Sequence, residues 1–245
     1  MTFADIHTHI LSAVDDGAPS DEIMYRMVEA AYADGTRLMC LTPHFHPGVF
    51  GDNRENGEQS FRRLRAHAAK HCPELRLFLG NELRFSPGAD RWLREGYCRT
   101  LDGNSLLLVD FSPEVGQNQI TRALEQLLSM GYLPILAHAE RYPSLSPDAV
   151  REFRRNGIRI QISAGSLTGS FGLGARLRAR RLLRQRLVCV VASDAHDLKY
   201  RPPLLSSGYE ITKKLTDENY ANRIFWYNAI DLLEQPQEGL VKEDE

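Results

Sequence analysis

Seven short apolar segments, separated by stretches with helical spacing, set the tightest limit on how this 245-residue chain folds. They lie over residues 2–6, 38–42, 75–79, 106–111, 133–137, 158–162 and 187–192. Several are continuous apolar runs rather than alternating ones, which is what parallel strands buried on both faces require. Helical spacing is read over 20–33, 60–70, 119–129, 147–155, 175–185 and 215–226. In the first of these, Ile23, Met27, Ala30 and Ala31 share a face and Gly35 follows as a stop. Strand–helix alternation of this kind makes a parallel sheet, open or closed. Polar, chemistry-bearing residues recur at the C-terminal ends of the strands, as in a barrel with its site at one mouth. The expectation is therefore a distorted, TIM-like (β/α)7 barrel. No internal linker or repeat is visible. Residues 1–233 read as a single domain, and 234–245, rich in Pro, Gln and acid, as a disordered tail.

The bulk numbers exclude several classes. A net charge of −2 argues against a dedicated nucleic-acid binder. No apolar run approaches the roughly 20 residues of a membrane span. The start, Met1-Thr2-Phe3-Ala4-Asp5, has no basic segment followed by an apolar core, so no secretory signal is expected. Cys40, Cys72, Cys98 and Cys189 are far apart and form no C-x-x-C pair. A reduced, cytoplasmic setting fits that usage.

Six of the eight histidines fall within a few residues of a strand's C-terminal end: His7, His9, His44, His46, His138 and His196. His67 and His71 lie on a charged helix and read as surface residues. Any one histidine alone is most simply a hydrogen-bonded structural residue; six at strand ends are hard to obtain by accident. His7 and His9, two apart on a strand, present their imidazoles together, and Asp194 and His196 repeat that spacing. Glu82 follows the third apolar run. Asp110 sits inside Leu106-Leu107-Leu108-Val109-Asp110-Phe111, where a carboxylate costs several kcal/mol to desolvate unless it is paired or binds a metal. A buried ion pair or a helix cap is the plainer alternative there. Asp16, in Asp15-Asp16-Gly17, is equally readable as a turn residue.

Nine candidate ligands result: His7, His9, Asp16, His44, Glu82, Asp110, His138, Asp194 and His196. That exceeds one tetrahedral site and suits two or three ions sharing a bridging carboxylate. Mixed imidazole and carboxylate donors suit manganese, iron or zinc, and clustered ions of this kind imply hydrolysis. Arg141, just after His138, and Arg201, just after His196, add planar forks that bind phosphate oxygens in pairs. For each arginine the competing reading is a surface salt bridge, with Glu140 an obvious partner for Arg141. Cysteine-based phosphatase chemistry needs an arginine six residues after the cysteine; here those positions hold His46, Phe78, Asn104 and Ala195. A P-loop and a G-x-S-x-G elbow are also missing, and Gly169, Gly172 and Gly174 follow no strand directly, so a dinucleotide fold is a poor match.

Asp5-Ile6-His7-Thr8-His9, Thr42-Pro43-His44 and Ser193-Asp194-Ala195-His196 resemble the motifs of the PHP superfamily, named for polymerase and histidinol phosphatase. Within it, Val14-Asp15-Asp16-Gly17, Gly80-Asn81-Glu82, Phe111-Ser112, Ala137-His138-Ala139-Glu140-Arg141-Tyr142 and Arg201-Pro202-Pro203 are similar to bacterial metal-dependent protein-tyrosine phosphatases of capsule and exopolysaccharide operons. The resemblance runs from about residue 3 to residue 230. It implies a distorted (β/α)7 barrel with three divalent ions, manganese first. One ion takes His7, His9, Glu82 and Asp194. A second takes bridging Glu82, Asp110 and His138. The third takes Asp16, His44 and His196. Arg141 and Arg201 match the phosphate-binding arginines. Two departures stand out: Asp110 replaces a glutamate, one methylene longer, and His46 is an extra imidazole, read first as a surface residue.

The chemistry this implies is direct hydrolysis of phosphotyrosine by a metal-bridging hydroxide, with little covalent work for the protein. By analogy the substrate is a tyrosine kinase controlling polysaccharide export. Phe45, Pro47, Val49 and Phe50 either line an entrance for the aromatic ring or pack. The alternatives are a histidinol-phosphatase-like small-molecule hydrolase, an amidohydrolase (which needs a lysine on a middle strand that this chain does not place there), and a dead module used for interaction. The arginines from Arg176 to Arg186 read as a solvated helix face, with an acidic docking surface as the alternative.

Overall fold

The computed structural model describes residues 1–50, 52–103 and 105–234. Its strands are β1 (Phe3–Thr8), β2 (Thr36–Leu41), β3 (His44–Phe45), β4 (Arg76–Leu79), β5 (Glu82–Arg84), β6 (Leu106–Asp110), β7 (Leu133–Leu136), β8 (Arg159–Ser163) and β9 (Val190–Ala192). The helices are α1 (Asp21–Asp34), α2 (Pro47–Phe50), α3 (Arg54–His71), α4 (Ala89–Arg94), α5 (Gln117–Ser129), α6 (Pro147–Arg155), α7 (Ala164–Thr168), α8 (Gly172–Arg184), α9 (Ser206–Leu215), α10 (Glu218–Asn222) and α11 (Asn228–Glu234).

All seven expected strands form, and every pairing is parallel. Two of them are broken in a way the sequence did not suggest. Chain position two is β2 followed by β3, and position three is β4 followed by β5; the interruptions fall at Thr42-Pro43 and Gly80-Asn81. Pro43 has no N–H to give to a ladder. The break is spanned instead by Gly80 N–H donating to the Leu41 carbonyl (2.9 Å) and Glu82 N–H donating to the Pro43 carbonyl (3.2 Å). Both interruptions come immediately before candidate ligands, so the kink carries His44 and Glu82 to the mouth.

The sheet curls until its ends meet. Backbone hydrogen bonds close the ring between β9 and β1 near their C-terminal ends, from Asp194 N–H to the His7 carbonyl (2.9 Å) and from His9 N–H to the Ala195 carbonyl (2.8 Å). The result is a distorted (β/α)7 barrel. Ala4, Ile6, Leu38, Leu108, Ile135 and Val190 belong to one apolar cluster that Ala229 and Leu232 of α11 join. Leu107, Val109, Leu136, Ile162 and Val191 pack with the surrounding helices instead. Burial on both faces is why these strands read as continuous apolar runs.

The helix expected over 215–226 is corrected. Leu215 ends α9; Asp217 then leaves the helical region and its carboxylate accepts from Tyr220 N–H (2.9 Å), capping a new helix. That helix runs through a π turn (Arg223–Tyr227) into α11. In α8, Leu182 and Leu183 pack inward while Leu173 and Leu177 remain exposed. No helix among the described residues is long and apolar enough to cross a membrane. The tail expected over 234–245 lies outside the described residues, apart from Glu234 at the end of α11.

Candidate metal centre

The nine candidate ligands converge at the C-terminal mouth. Glu82, fully buried, is the hub: its carboxylate lies 2.7 Å from His44 Nδ1, 3.0 Å from His138 Nε2, 3.2 Å from His7 Nε2 and 3.4 Å from His9 Nε2. Asp194 Oδ1 is 3.6 Å from His7 Nε2 and 3.7 Å from His9 Nε2. Asp16 Oδ1 faces His44 Nε2 at 3.3 Å and His196 Nε2 at 3.5 Å. Asp110 Oδ1 is 3.6 Å from His138 Nε2. An ion about 2.1 Å from each of its tetrahedral donors sets them about 3.4 Å apart, so these spacings fit bound ions.

Donor groups gather around three points. His7, His9 and Asp194 form one set; His9, Asp16, His44 and His196 a second; His44, Glu82 and Asp110 a third. The first two contain the expected ligand sets apart from Glu82, with His9 added to the second. The third brings in His44, while His138 stands against Glu82 and Asp110 at the distances above.

Outer partners aim the imidazoles. Nδ1 of His7 meets Gln161 Oε1 (3.2 Å), Nδ1 of His9 meets Asp15 Oδ2 (2.7 Å), and Nδ1 of His196 meets the Asp194 carbonyl (3.1 Å). Each partner is an acceptor, so Nδ1 carries a proton and Nε2 is the nitrogen turned inward. His7 Nε2 and His9 Nε2 stand only 3.1 Å apart, and His196 Nε2 is buried without a hydrogen-bond partner. Two inward Nε2 atoms at that distance need a proton or a metal cation between them.

The electrostatics agree. Burial opposes charging His7, yet Glu82 and Asp194 raise it to about 9. Burial also opposes charging His44, and Glu82 and Asp16 still raise it to about 11. Glu82 is held well below the usual carboxylate range because His7 and His44 outweigh its desolvation. His196 goes the other way: burial, with His9 alongside, lowers it to about 4 and keeps it a neutral donor. The pocket demands positive charge, and the donor chemistry is that of divalent cations.

Two residues of the site hold left-handed backbone, His138 (φ 32°) and Asp194 (φ 56°). Such strain in non-glycine residues persists only where surroundings enforce it. Here Gln161 Oε1 accepts from His138 N–H (2.7 Å) and the His7 carbonyl accepts from Asp194 N–H. Gly17 is needed next to Asp16, because a Cβ there would lie 1.8 Å from the His9 carbonyl oxygen.

Arg141 and Arg201 both reach Asp194, the latter at 2.6 Å, so the partner of Arg141 is Asp194 rather than Glu140. Glu140 is buried and accepts from Ser163 N–H (3.1 Å) and Ser166 Oγ–H (2.5 Å). Both arginines keep a buried Nε–H with no acceptor. They open onto a cavity of about 190 Å³ that Asp16, Glu82, Asp110 and His138 also line.

Several participants were missed in the sequence. Phe171 lies under both guanidinium groups, 3.8 Å from Arg141 and 5.5 Å from Arg201, and holds them by cation–π attraction. Arg84 pairs with Asp110 at 2.8 Å, and Tyr142 Oη–H donates to the same carboxylate at 2.9 Å. The ion-pair alternative for Asp110 is thus realised beside its candidate ligand position. Gln161 carried a readable signal, a polar residue inside Ile160-Gln161-Ile162, of the same kind as Asp110. His46 is half-buried rather than a plain surface residue, and burial, with Arg84 and His44 near, lowers its pKa. Of the apolar segment beyond His44, Phe45 is core and Val49 exposed, while the Phe50 ring stacks on His44 at 5.5 Å.

Gln161→Leu is expected to cost about 10–100-fold in metal affinity, the usual penalty for losing an outer partner of a ligand. Metal titration of the purified variant checks this, with wild-type affinity as the contrary result.

Fold and site together define a (β/α)7 barrel with a multi-residue His/Asp/Glu metal-binding cluster at its C-terminal mouth. Comparison with known proteins narrows this. The family described as capsular polysaccharide synthesis, CpsB/CapC, matches residues 3–234. The chain belongs to that family. The tyrosine-protein phosphatase CpsB of Streptococcus agalactiae serotype III is 31% identical over 236 residues, covering 94% of this chain and 97% of the relative. A crystal structure from work on YwqE of Bacillus subtilis and CpsB of Streptococcus pneumoniae, described as unique metal-dependent tyrosine phosphatases, is 29% identical with a TM-score of 0.82, covering 94% of each chain. Histidinol phosphate phosphatase of Lactococcus lactis, solved with zinc, L-histidinol and phosphate, shares the fold at 14% identity and a TM-score of 0.56.

Proposed function

We propose that this protein is a metal-dependent protein-tyrosine phosphatase acting on a phosphoprotein of capsule or exopolysaccharide synthesis. The observation that carries the reading is the convergence of nine metal-type donors with two arginines that line the same small polar cavity. Similarity to phosphatases of the CpsB type supports the phosphotyrosine substrate.

We assign three ions to the mouth: one to His7, His9, Glu82 and Asp194, one to Glu82, Asp110 and His138, and one to Asp16, His44 and His196. The mixed nitrogen and oxygen donors suit manganese, with iron or zinc next. Bound there, the ions supply a nucleophile near neutral pH and draw charge from the phosphoryl oxygens. The chain's own work is positioning. Arg141 and Arg201, propped on Phe171 and tethered by Asp194, present their N–H groups to the non-bridging oxygens. Phe50, stacked on His44, offers an apolar face for the tyrosine ring. A phenol with a pKa of about 10 leaves readily. Burial, with Arg84 and His44 near, lowers the pKa of His46, and the leaving-group proton comes from water or from His46.

Residues 1–233 are taken as one catalytic domain. The phosphoprotein we favour is a tyrosine kinase that controls polysaccharide export, and the four buried cysteine thiols suit a reducing cytoplasm. Turnover of a phosphotyrosine peptide and of histidinol phosphate, measured side by side, tests the substrate class. Preference for the peptide is expected. Preference for histidinol phosphate would move the same site to small-molecule metabolism.

A further inference from the structure

A second cluster of metal-type donors lies on the outer helices. His67 and His71 are four residues apart on α3, one helical turn, and so share a face. Their rings stack at 4.3 Å with an interplanar angle of 17°. Glu29 comes across from α1, its Oε1 2.7 Å from His67 Nε2. One ligand atom from each of the three residues falls within 4.8 Å of the other two. Tyr25 of α1 covers the opposite face of the His67 ring at 4.0 Å, 6° from parallel, and fixes its plane. None of these residues belongs to the barrel-mouth cluster.

We propose that Glu29, His67 and His71 form a peripheral transition-metal site that joins α1 to α3. Two imidazoles one turn apart are a recurrent zinc-ligand arrangement, and a carboxylate supplies the third donor. A fourth position stays with solvent. Two nitrogens and one oxygen select zinc, nickel or copper over calcium and magnesium, which prefer all-oxygen shells. His71 and Glu29 are exposed, so their side chains are free to close the remaining distance to about 3.4 Å. The ion replaces the proton now shared between His67 and Glu29.

The location gives the site a consequence. One turn before His67, Arg63 Nε–H donates to Asp21 at the start of α1 (2.8 Å), and Ser60 Oγ accepts from Ser12 N–H (2.9 Å). Ser12 lies in the loop that goes on to present Asp15 and Asp16. An ion at Glu29–His67–His71 fastens α1 to α3 beyond those contacts and stiffens the support of that loop. The ion is structural and takes no part in the chemistry at the mouth.

Zinc content after equilibrium dialysis against micromolar Zn²⁺ tests the site, with wild type and His67→Ala/His71→Ala compared under one protocol. The barrel mouth contributes equally to both. The double variant is expected to hold one zinc fewer per chain. In manganese-loaded wild type, added Zn²⁺ is expected to raise Tm by about 2–4 °C or more, the shift that a site of modest affinity gives a chain of this length; the double variant should show no such rise. Manganese-supported phosphatase activity of the double variant should match wild type and serves as the check on its fold. Equal zinc content in the two proteins, or a zinc-dependent Tm rise that survives both substitutions, would overturn the proposal.

Discussion

Glu82→Gln is expected to lower phosphatase kcat/KM by about 10³-fold or more and to remove at least one bound ion. The substitution keeps side-chain volume and removes charge, so packing is not what it probes. The carboxylate stands within 2.7–3.4 Å of four imidazoles from three places in the barrel, the end of β1, the start of β3 and the end of β7. It is fully buried, and a charge so placed costs several kcal/mol unless it is compensated. A carboxamide accepts through one oxygen only and turns an N–H₂ toward donors that need an anion. Metal analysis of the purified variant, read together with its kinetics and its Tm, checks the expectation. Full metal content with full activity would remove Glu82 from the centre.

Arg141→Ala and Arg201→Ala are each expected to lower kcat/KM by about 10²–10³-fold, close to 3–4 kcal/mol of transition-state stabilisation. Metal content should stay as in wild type, which separates these variants from Glu82→Gln. Lysine at either position should recover only part of the loss, because an ammonium is a point charge without the planar fork. Both guanidinium groups rest on Phe171 and both reach Asp194, so the two losses are expected to be less than additive. Steady-state kinetics on the two single variants, the double variant and the two lysine variants provide the comparison. Lysine variants with wild-type rates would reduce the arginines to surface ion pairs.

The barrel was readable because its strands are buried on both faces. Leu106 to Val109 is apolar throughout for that reason, and Asp110 stands out against it. The interruptions at Thr42-Pro43 and Gly80-Asn81 were not readable, since β3 and β5 hold two and three residues and have no periodicity to detect. The stretch 215–226 looked like one helix because its apolar spacing continues; the Asp217 cap that divides it depends on one local hydrogen bond.

At the site, the candidate metal donors that the structure brings together were legible by type and position. Residues that act through other residues were not. Asp15 looks like ordinary turn chemistry until its carboxylate is seen against His9 Nδ1 and the His44 N–H. Arg84 and Phe171 are far in sequence from what they hold, Asp110 and the two arginines, and no spacing rule links them. Asp110 is held through both oxygens: Arg84 pairs with Oδ2, and Tyr142 Oη–H donates to Oδ1, the oxygen that also faces His138 Nε2.

The most direct test is phosphate release from a phosphotyrosine peptide by metal-stripped protein as Mn²⁺ is returned, with His44→Ala run in parallel. Activity that is absent without metal, returns with Mn²⁺ in wild type and stays low in His44→Ala is the expected result. Undiminished turnover by the metal-stripped protein, or full recovery in His44→Ala, would contradict a metal-dependent phosphatase built on these ligands.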